Sequence, residues 1–527
     1  MISLKTAIKK MIWLIKRPFV KAVENRLTVS LLSKMPPPNE KSKLVFVFSG
    51  RRKSNLSFHV KLFTLIGFEL AKRGIPSYFI FQDNVLQTFF PQLTIDNLRI
   101  AGSVTEKIPK VEYASKNTKL PQLKKYINLD EKKAIVNEIN FFPIIECTLR
   151  TIKKRYNINF NDADIKLLAS KMIQSCSIIS IYFYALRNYA KENNKQIALC
   201  GWESNYIPNG AFKLLCDQMH TSNHIQYIDL NRSYIHYFGE HPIGSNNVCA
   251  ANLTKKKIES RLVVTRKELD AIKVTEENRS QYSTSIEKAI NKKSSNKINS
   301  KEKIEINKLI NQYQINGKLV FVLFAHLFYD VRVNDSSPAF TGMSEWITET
   351  VRFFKQRDDL LLLKPHPREI IPDDPANEPD ETLSSMVGPL CPSENIQILH
   401  PLLFSIQDLS SKMSCGLVWR SSVAMELTYL NVPCIIAGMP PYRAIRLCYS
   451  QNKEHYFNLT SNADSMVVTD YQVHDVIRYT YCLENQKSHN IKQIDLNGRW
   501  NRNHLHHYRR NGDDQLKKLT EKILGEV

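Results

Sequence analysis

Four consecutive leucines, Leu360 to Leu363, run into Lys364-Pro365-His366-Pro367-Arg368-Glu369. An apolar run without polar alternation reads as a strand buried on both faces, as in a parallel sheet covered by helices. Proline cannot donate to a ladder and biases the residue before it away from helix, so the strand must stop here. His366 is then held in a stiff, extended loop at the carboxyl end of the strand, the edge at which open α/β sheets bind ligands. Lys364, His366 and Arg368 alternate along the loop and offer cationic or donor groups to an anion.

The same grammar recurs on both sides. Lys318–Phe324 is a strand leading to His326 and Asp330, and a helix with Trp346, Ile347, Val351 and Phe354 on one face follows. Ile396–Leu399 is a short strand, with a helix start near Ser405–Ser410. Gly416–Trp419 feeds Arg420-Ser421-Ser422-Val423-Ala424-Met425-Glu426, and Val432–Ala437 ends in Gly438-Met439-Pro440-Pro441-Tyr442-Arg443. Regular strand–loop–helix units of this kind predict a doubly wound sheet. Lys43–Ser49 opens the first half in the same way, followed by a helix from about Phe58 to Arg73 that Gly74-Ile75-Pro76 ends, and by a strand at Ser77–Phe81. Residues 125–195 read as several helices, the clearest at Ile165–Lys191. Gln196–Cys200 and Ile225–Leu230 are further strands, the first delivering Gly201-Trp202-Glu203. No G-x-G-x-x-G follows the first strand, so no dinucleotide site is read there. The fold class is therefore α/β, with two Rossmann-like domains, 43–254 and 318–485, facing a cleft. A helical linker or insertion, 255–317, joins them, and 486–527 is a basic tail with a terminal helix.

The chain carries 73 Lys+Arg against 51 Asp+Glu, a net charge of +22, and the excess is uneven. Residues 1–34, 255–308 and 486–527 hold 18 of those 22 charges, which leaves the domain cores near neutral. Charge confined to flanks and a linker does not fit a nucleic-acid-binding face. In residues 1–35, Leu4, Ile8, Met11, Ile12, Ile15 and Phe19 recur at helical spacing between lysines, with Trp13 as an interfacial aromatic. A basic amphipathic helix of this type lies on an anionic membrane surface. No run of about 18 apolar residues exists to span one. The ten cysteines contain no C-x-x-C pair, which argues against a zinc site or a disulfide framework and for a reducing compartment.

Ser421 and Ser422 open a helix directly after a strand, where hydroxyls and unpaired backbone N–H groups suit a phosphate; serine is equally a preferred N-cap. Glu426 follows one helical turn later, and Arg443 sits after a glycine and two prolines. Three strands thus bring His366, Ser421/Ser422 and Arg443 to one rim, and the combination is more specific than any member.

Three segments together resemble the bacterial capsule polysaccharide biosynthesis family. They are Leu363-Lys364-Pro365-His366-Pro367, Arg420-Ser421-Ser422-Val423-Ala424-Met425-Glu426-Leu427 and Asn431-Val432-Pro433-Cys434-Ile435-Ile436-Ala437-Gly438. That family includes Kdo transferases and related glycosyltransferases of the GT-B fold. The resemblance covers mainly 318–450 and implies that His366, Ser421 and Ser422 hold the donor phosphate, to which the loops add Lys364 and Arg443 as cations on the same rim. It also implies that Glu426 binds the donor ribose. Family members often carry His-Tyr-Arg where this chain has Pro441-Tyr442-Arg443.

The implied partners are a nucleotide sugar, CMP-Kdo first, and a polysaccharide or lipid-linked glycan acceptor. The implied location is cytoplasmic, peripheral on the inner face of the bacterial inner membrane. No cofactor is implied, and no metal is required where His, Arg and a helix N-terminus neutralise the leaving phosphate. A base on the acceptor side is expected from Asp330 and Glu203, beside which Glu240 and His241 are alternatives. A CDP-activated polyol-phosphate transferase would use the same rim, and a non-catalytic export or assembly scaffold would keep the fold alone.

Overall fold

The computed structural model describes residues 41–51, 58–82, 98–100, 125–155, 157–202, 207, 209–218, 224–232, 247–252, 264–293, 301–329, 337–370, 381–391, 393–485, 489–490, 493–494 and 501–526. The basic segment 1–35 and the candidate bases Glu203, Asp330, Glu240 and His241 lie outside them. Among the described residues no helix is long and apolar enough to cross a membrane.

In chain order the strands are β1 (Leu44–Arg51), β2 (Ser77–Gln82), β3 (Leu98–Ile100), β4 (Lys125–Asn128), β5 (Lys133–Val136), β6 (Ile139–Asn140), β7 (Gln196–Trp202), β8 (Ile225–Arg232) and β9 (Asn247–Asn252). Then come β10 (Val320–Phe324), β11 (Leu360–Lys364), β12 (Ile396–Ile398), β13 (Cys415–Val418), β14 (Cys434–Ile436), β15 (Cys448–Tyr449) and β16 (His489–Asn490). Two large sheets result. The first has the order β16-β9-β8-β7-β1-β2-β3, with β2, β1, β7 and β8 parallel and the outer strands antiparallel. The second, β12-β11-β10-β13-β14-β15, is parallel throughout.

The second sheet is built as its sequence demands. Every residue of β10 and β11 is buried. Alternate side chains face opposite layers, as the two-residue period of a strand requires. Phe321, Leu323, Leu361 and Leu363 pack with Trp346, Ile347, Val351 and Phe354 of the helix Met343–Phe354. Val320, Val322, Leu360 and Leu362 face the other way, toward the helices Val423–Tyr429 and Asp470–Asn485.

The stretch expected as a linker contributes to this same core. It forms the helices Arg266–Ala271, Glu276–Lys293 and Lys301–Ile315, and buries Val264, Leu269, Tyr282, Ile286, Ile290 and Ile310 against β10 and β11. Arg266 anchors it. Its guanidinium donates to the carbonyl of Ala444 at 2.9 Å and forms a short ion pair with Asp475, which is 0% exposed.

The first sheet is covered on one face by the helices Phe142–Lys153, Ala163–Glu192 and Asn209–Gln218, which pack on Val45, Val47, Ile197 and Leu199. Its other face, Phe46 and Phe48, meets the helix Phe58–Lys72 and, from the far end of the chain, Leu505, Tyr508, Leu516, Leu519 and Ile523. The helices Arg502–Asn511 and Asp514–Glu526 therefore return to the first sheet, where Tyr508 donates to the buried Glu69 carboxylate at 2.6 Å. Residues 125–140, read above as helical, form instead a three-stranded antiparallel meander, β4-β5-β6. Its tight turn uses Asn137 and Glu138 at φ 51° and 73°, left-handed geometry that a hairpin turn needs and that glycine usually supplies.

Candidate functional site

Counting strands from β10, the second sheet runs third, second, first, fourth, fifth, sixth. The order reverses between β10 and β13, the kind of switch point at which open α/β sheets bind ligands outside the carboxyl ends of their strands. The loops that meet at this edge carry His326 after β10, His366 after β11, Arg420-Ser421-Ser422 after β13 and Gly438–Arg443 after β14. Adjacent strands lie about 4.8 Å apart, so His366 and Ser421, one strand either side of β10, start about 10 Å apart.

The His366 loop is locked as its prolines predict. His366 is extended, φ −68° and ψ 137°, and caps a short 3₁₀ turn, Pro367–Glu369. Its Nδ1 accepts the N–H of Arg368 at 3.1 Å. His326, which the sequence reading passed over as a site residue, holds the same arrangement, its Nδ1 accepting the N–H of Leu327 at 3.0 Å. The two imidazole rings lie 5.7 Å apart and tilted by 37°.

The charged residues flanking His366 behave differently from one another. Arg368 is exposed. Lys364, expected on the rim, is 6% exposed, and its ammonium donates to the carbonyl of Pro401 in the loop after β12, on the side away from β10. Burial lowers its pKa to about 8, with Glu369 opposing the shift. Glu369 is itself 4% exposed and accepts the N–H of Leu383 at 3.0 Å. Burial raises its carboxyl from 4.5 to about 7, against the Leu383 and His366 amides and the Lys364 ammonium.

A raised carboxyl favours folding while protonated, and that contribution is lost as pH rises from 4.5 through about 7. Glu369→Gln keeps the acceptor for Leu383 without the ionisation. The variant should gain on wild type by about 1–3 kcal/mol between pH 5 and pH 8. Urea midpoints at the two pH values measure this, and parallel midpoints would rule out a buried ionisation at Glu369.

On the other side of β10, Ser421 accepts the N–H of Val423 on its hydroxyl at 3.3 Å, and its carbonyl takes the Tyr442 hydroxyl at 2.5 Å. That bond closes the turn leading into the helix, whose N-cap position is held by Ser422 without a side-chain cap bond. Ser422 donates to Glu426 at 3.3 Å, and Glu426 is 0% exposed beneath the first turn of its helix. Arg443 is exposed on the loop that Tyr442 ties to Ser421. Gly438 makes that close approach possible: its N–H donates to the Trp419 carbonyl at 2.8 Å, and a Cβ there would sit 2.5 Å from the same oxygen. Among the described residues no group of three or more His, Cys, Asp or Glu is placed to hold a metal ion.

The chain is thus an α/β protein whose wholly parallel sheet gathers two histidines, two serines and exposed arginines where its strand order reverses. No family model matches it, and no curated protein does. Solved structures similar to it include two Thermosulfurimonas dismutans KpsC enzymes. A β-Kdo 2,7 transferase is 13% identical, covers 61% of this chain and 88% of its own, and has a TM-score of 0.31. A β-Kdo 2,4 transferase is 12% identical, with 59% and 87% coverage and a TM-score of 0.35. A UDP-GlcNAc 2-epimerase from Neisseria meningitidis, bound to UDP-GlcNAc, is 11% identical, with 84% and 99% coverage and a TM-score of 0.25. Such TM-scores fix no residue register between the chains, and the site rests on the contacts above.

Proposed function

We propose that the chain is a glycosyltransferase that takes its sugar from a nucleotide donor, with the donor's phosphate at the edge where β11, β10 and β13 meet. The observation that carries the reading is the strand-order reversal between β10 and β13, with a backbone-locked histidine at the end of β11 and a serine pair at the end of β13. Glycosyl transfer leaves negative charge on the departing phosphate oxygen, and fixed donors aimed at that charge lower the barrier. A histidine whose Nδ1 accepts a backbone N–H carries its ring proton on Nε2, so His366 presents a donor without needing a positive charge. Arg443 adds an exposed cation on the loop after β14 at the same edge, and Ser421 and Ser422 shape the turn opposite.

In direct displacement, an acceptor hydroxyl attacks the anomeric carbon as the bond to phosphate breaks, and a base takes the hydroxyl proton. Glu203, which follows the last residue of β7, and Asp330, which follows Tyr329 in the loop after β10, are the proposed bases. Lys364 and Glu426 take supporting roles in this reading, since both side chains are buried beneath the loops they were expected to line. The resemblance of the His366, Ser421/Ser422 and Asn431–Gly438 segments to capsule-synthesis transferases favours CMP-Kdo as donor and a cell-surface polysaccharide as product.

A thermal-shift screen with CMP, CDP, UDP and GDP tests the donor site. One nucleotide should raise the midpoint, since a ligand at 100 times its Kd stabilises the folded state by about 2.7 kcal/mol. If all four leave the midpoint unmoved, the donor site is refuted.

A further inference from the structure

His326 stands outside every motif that pointed to the site, yet it lies two residues past the end of the strand at the centre of it. β10 is the strand from which the order runs both ways, so the loop after it leaves the sheet at the switch point where such sheets take their ligands. We infer that His326 is a second phosphate-binding residue, which with His366 forms a pair of Nε2–H donors around one phosphoryl group. This rests on the donor-site reading above and adds to it a residue and a mode of recognition.

Three observations meet here. Each ring is oriented by its own chain, since the Leu327 N–H reaches His326 Nδ1 at 3.0 Å and the Arg368 N–H reaches His366 Nδ1 at 3.1 Å. A backbone N–H can only donate, so each Nδ1 must accept and each ring proton must sit on Nε2. The Nε2 edge lies across the ring from Nδ1 and therefore faces away from the backbone that fixes it. Finally, the rings are 5.7 Å apart, on loops leaving adjacent parallel strands, and both side chains are half-buried. Donors that each need about 2.9 Å to an oxygen, carried on rings at this separation, can share the oxygens of a single phosphoryl group. Both rings can donate in the neutral form, so the pair avoids placing two imidazolium charges side by side. Such a clamp reads phosphate as an acceptor array rather than by net charge, and it leaves selection of the base to other residues.

The test compares His326→Asn, His326→Gln and His366→Asn by calorimetric titration with inorganic pyrophosphate and with CMP, CDP, UDP and GDP. Asparagine keeps an acceptor near the Nδ1 position and removes the distal donor, whereas glutamine restores an N–H at about the reach of Nε2. His326→Asn should weaken pyrophosphate, and the nucleotide that wild type binds, by about 10- to 100-fold, as His366→Asn does, and His326→Gln should recover most of the loss. Long-range ¹H–¹⁵N spectra of histidine-labelled protein should show both rings as Nε2–H tautomers, whose signals move together on adding pyrophosphate. If His326→Asn binds like wild type while His366→Asn is weakened, the pair is refuted and the donor site survives. If wild type binds none of the five ligands, the donor site itself falls and the pair with it. An Nδ1–H tautomer at His326 also overturns the inference.

Discussion

His366→Asn is expected to lower sugar-transfer turnover by about 100- to 1000-fold, the range seen when one fixed donor to a developing oxyanion is removed. The folded chain should barely register the change. His366 is half-buried, its loop is held by Pro365 and Pro367, and asparagine can still accept the Arg368 N–H that sets the 3₁₀ turn. The thermal midpoint of the unliganded protein should therefore move by less than about 2 °C. Turnover is measured with the sugar conjugate of whichever nucleotide stabilises wild type, and circular dichroism melts serve as the control. A transferase that keeps full turnover without this imidazole does not use it on the leaving phosphate. A scaffold would be indifferent to the change in every assay.

The second large effect lies outside the donor site. Arg266→Met should destabilise the protein by about 2–4 kcal/mol, because it strips the counter-charge from an aspartate that cannot reach water. Asp475 is 0% exposed, and its other cation, Arg478, stands at 3.7 Å and is partly exposed. The same substitution cuts the guanidinium contact to the Ala444 carbonyl, which holds the loop bearing Arg443. The thermal midpoint should fall by about 4–8 °C, and Asp475→Asn in the same background should restore part of it. A midpoint within 1 °C of wild type would mean that Asp475 finds its charge balance elsewhere.

How much of this was legible beforehand follows from where each signal originates. β10 and β11 were plain, because a strand buried on both faces is apolar over nearly its whole length, and the proline-bracketed end of β11 placed His366 without ambiguity. The serine turn after β13 and the glycine after β14 were equally visible. Lys364 closes its strand as a rim cation would, and only the carbonyl of Pro401, 37 residues away, draws its ammonium inward. His326 carries no local mark at all, and only the pairing of β10 with β11 brings it to His366. Residues 264–315 look like a linker or insertion because their apolar residues are sparse among lysines, yet Val264, Leu269, Ile272, Tyr282, Ile286, Ile290 and Ile310 are buried in the core of the second sheet, while Ile304 and Ile315 stay exposed. The meander was hidden by turns that adopt positive φ without glycine.

The return of the final helices to the first sheet bears on how the chain is made. Residues 264–485 are contiguous and contain the whole second sheet with most of its covering helices, so that layer can close while synthesis is still under way. The first sheet cannot. Phe46, Phe48 and Leu62 wait for Leu516, Leu519 and Ile523, more than 450 residues later, before their face is sealed. Until then the first sheet presents an open apolar face, which favours aggregation and the attention of chaperones. The sheet whose central strands precede the second sheet is thereby sealed only after it.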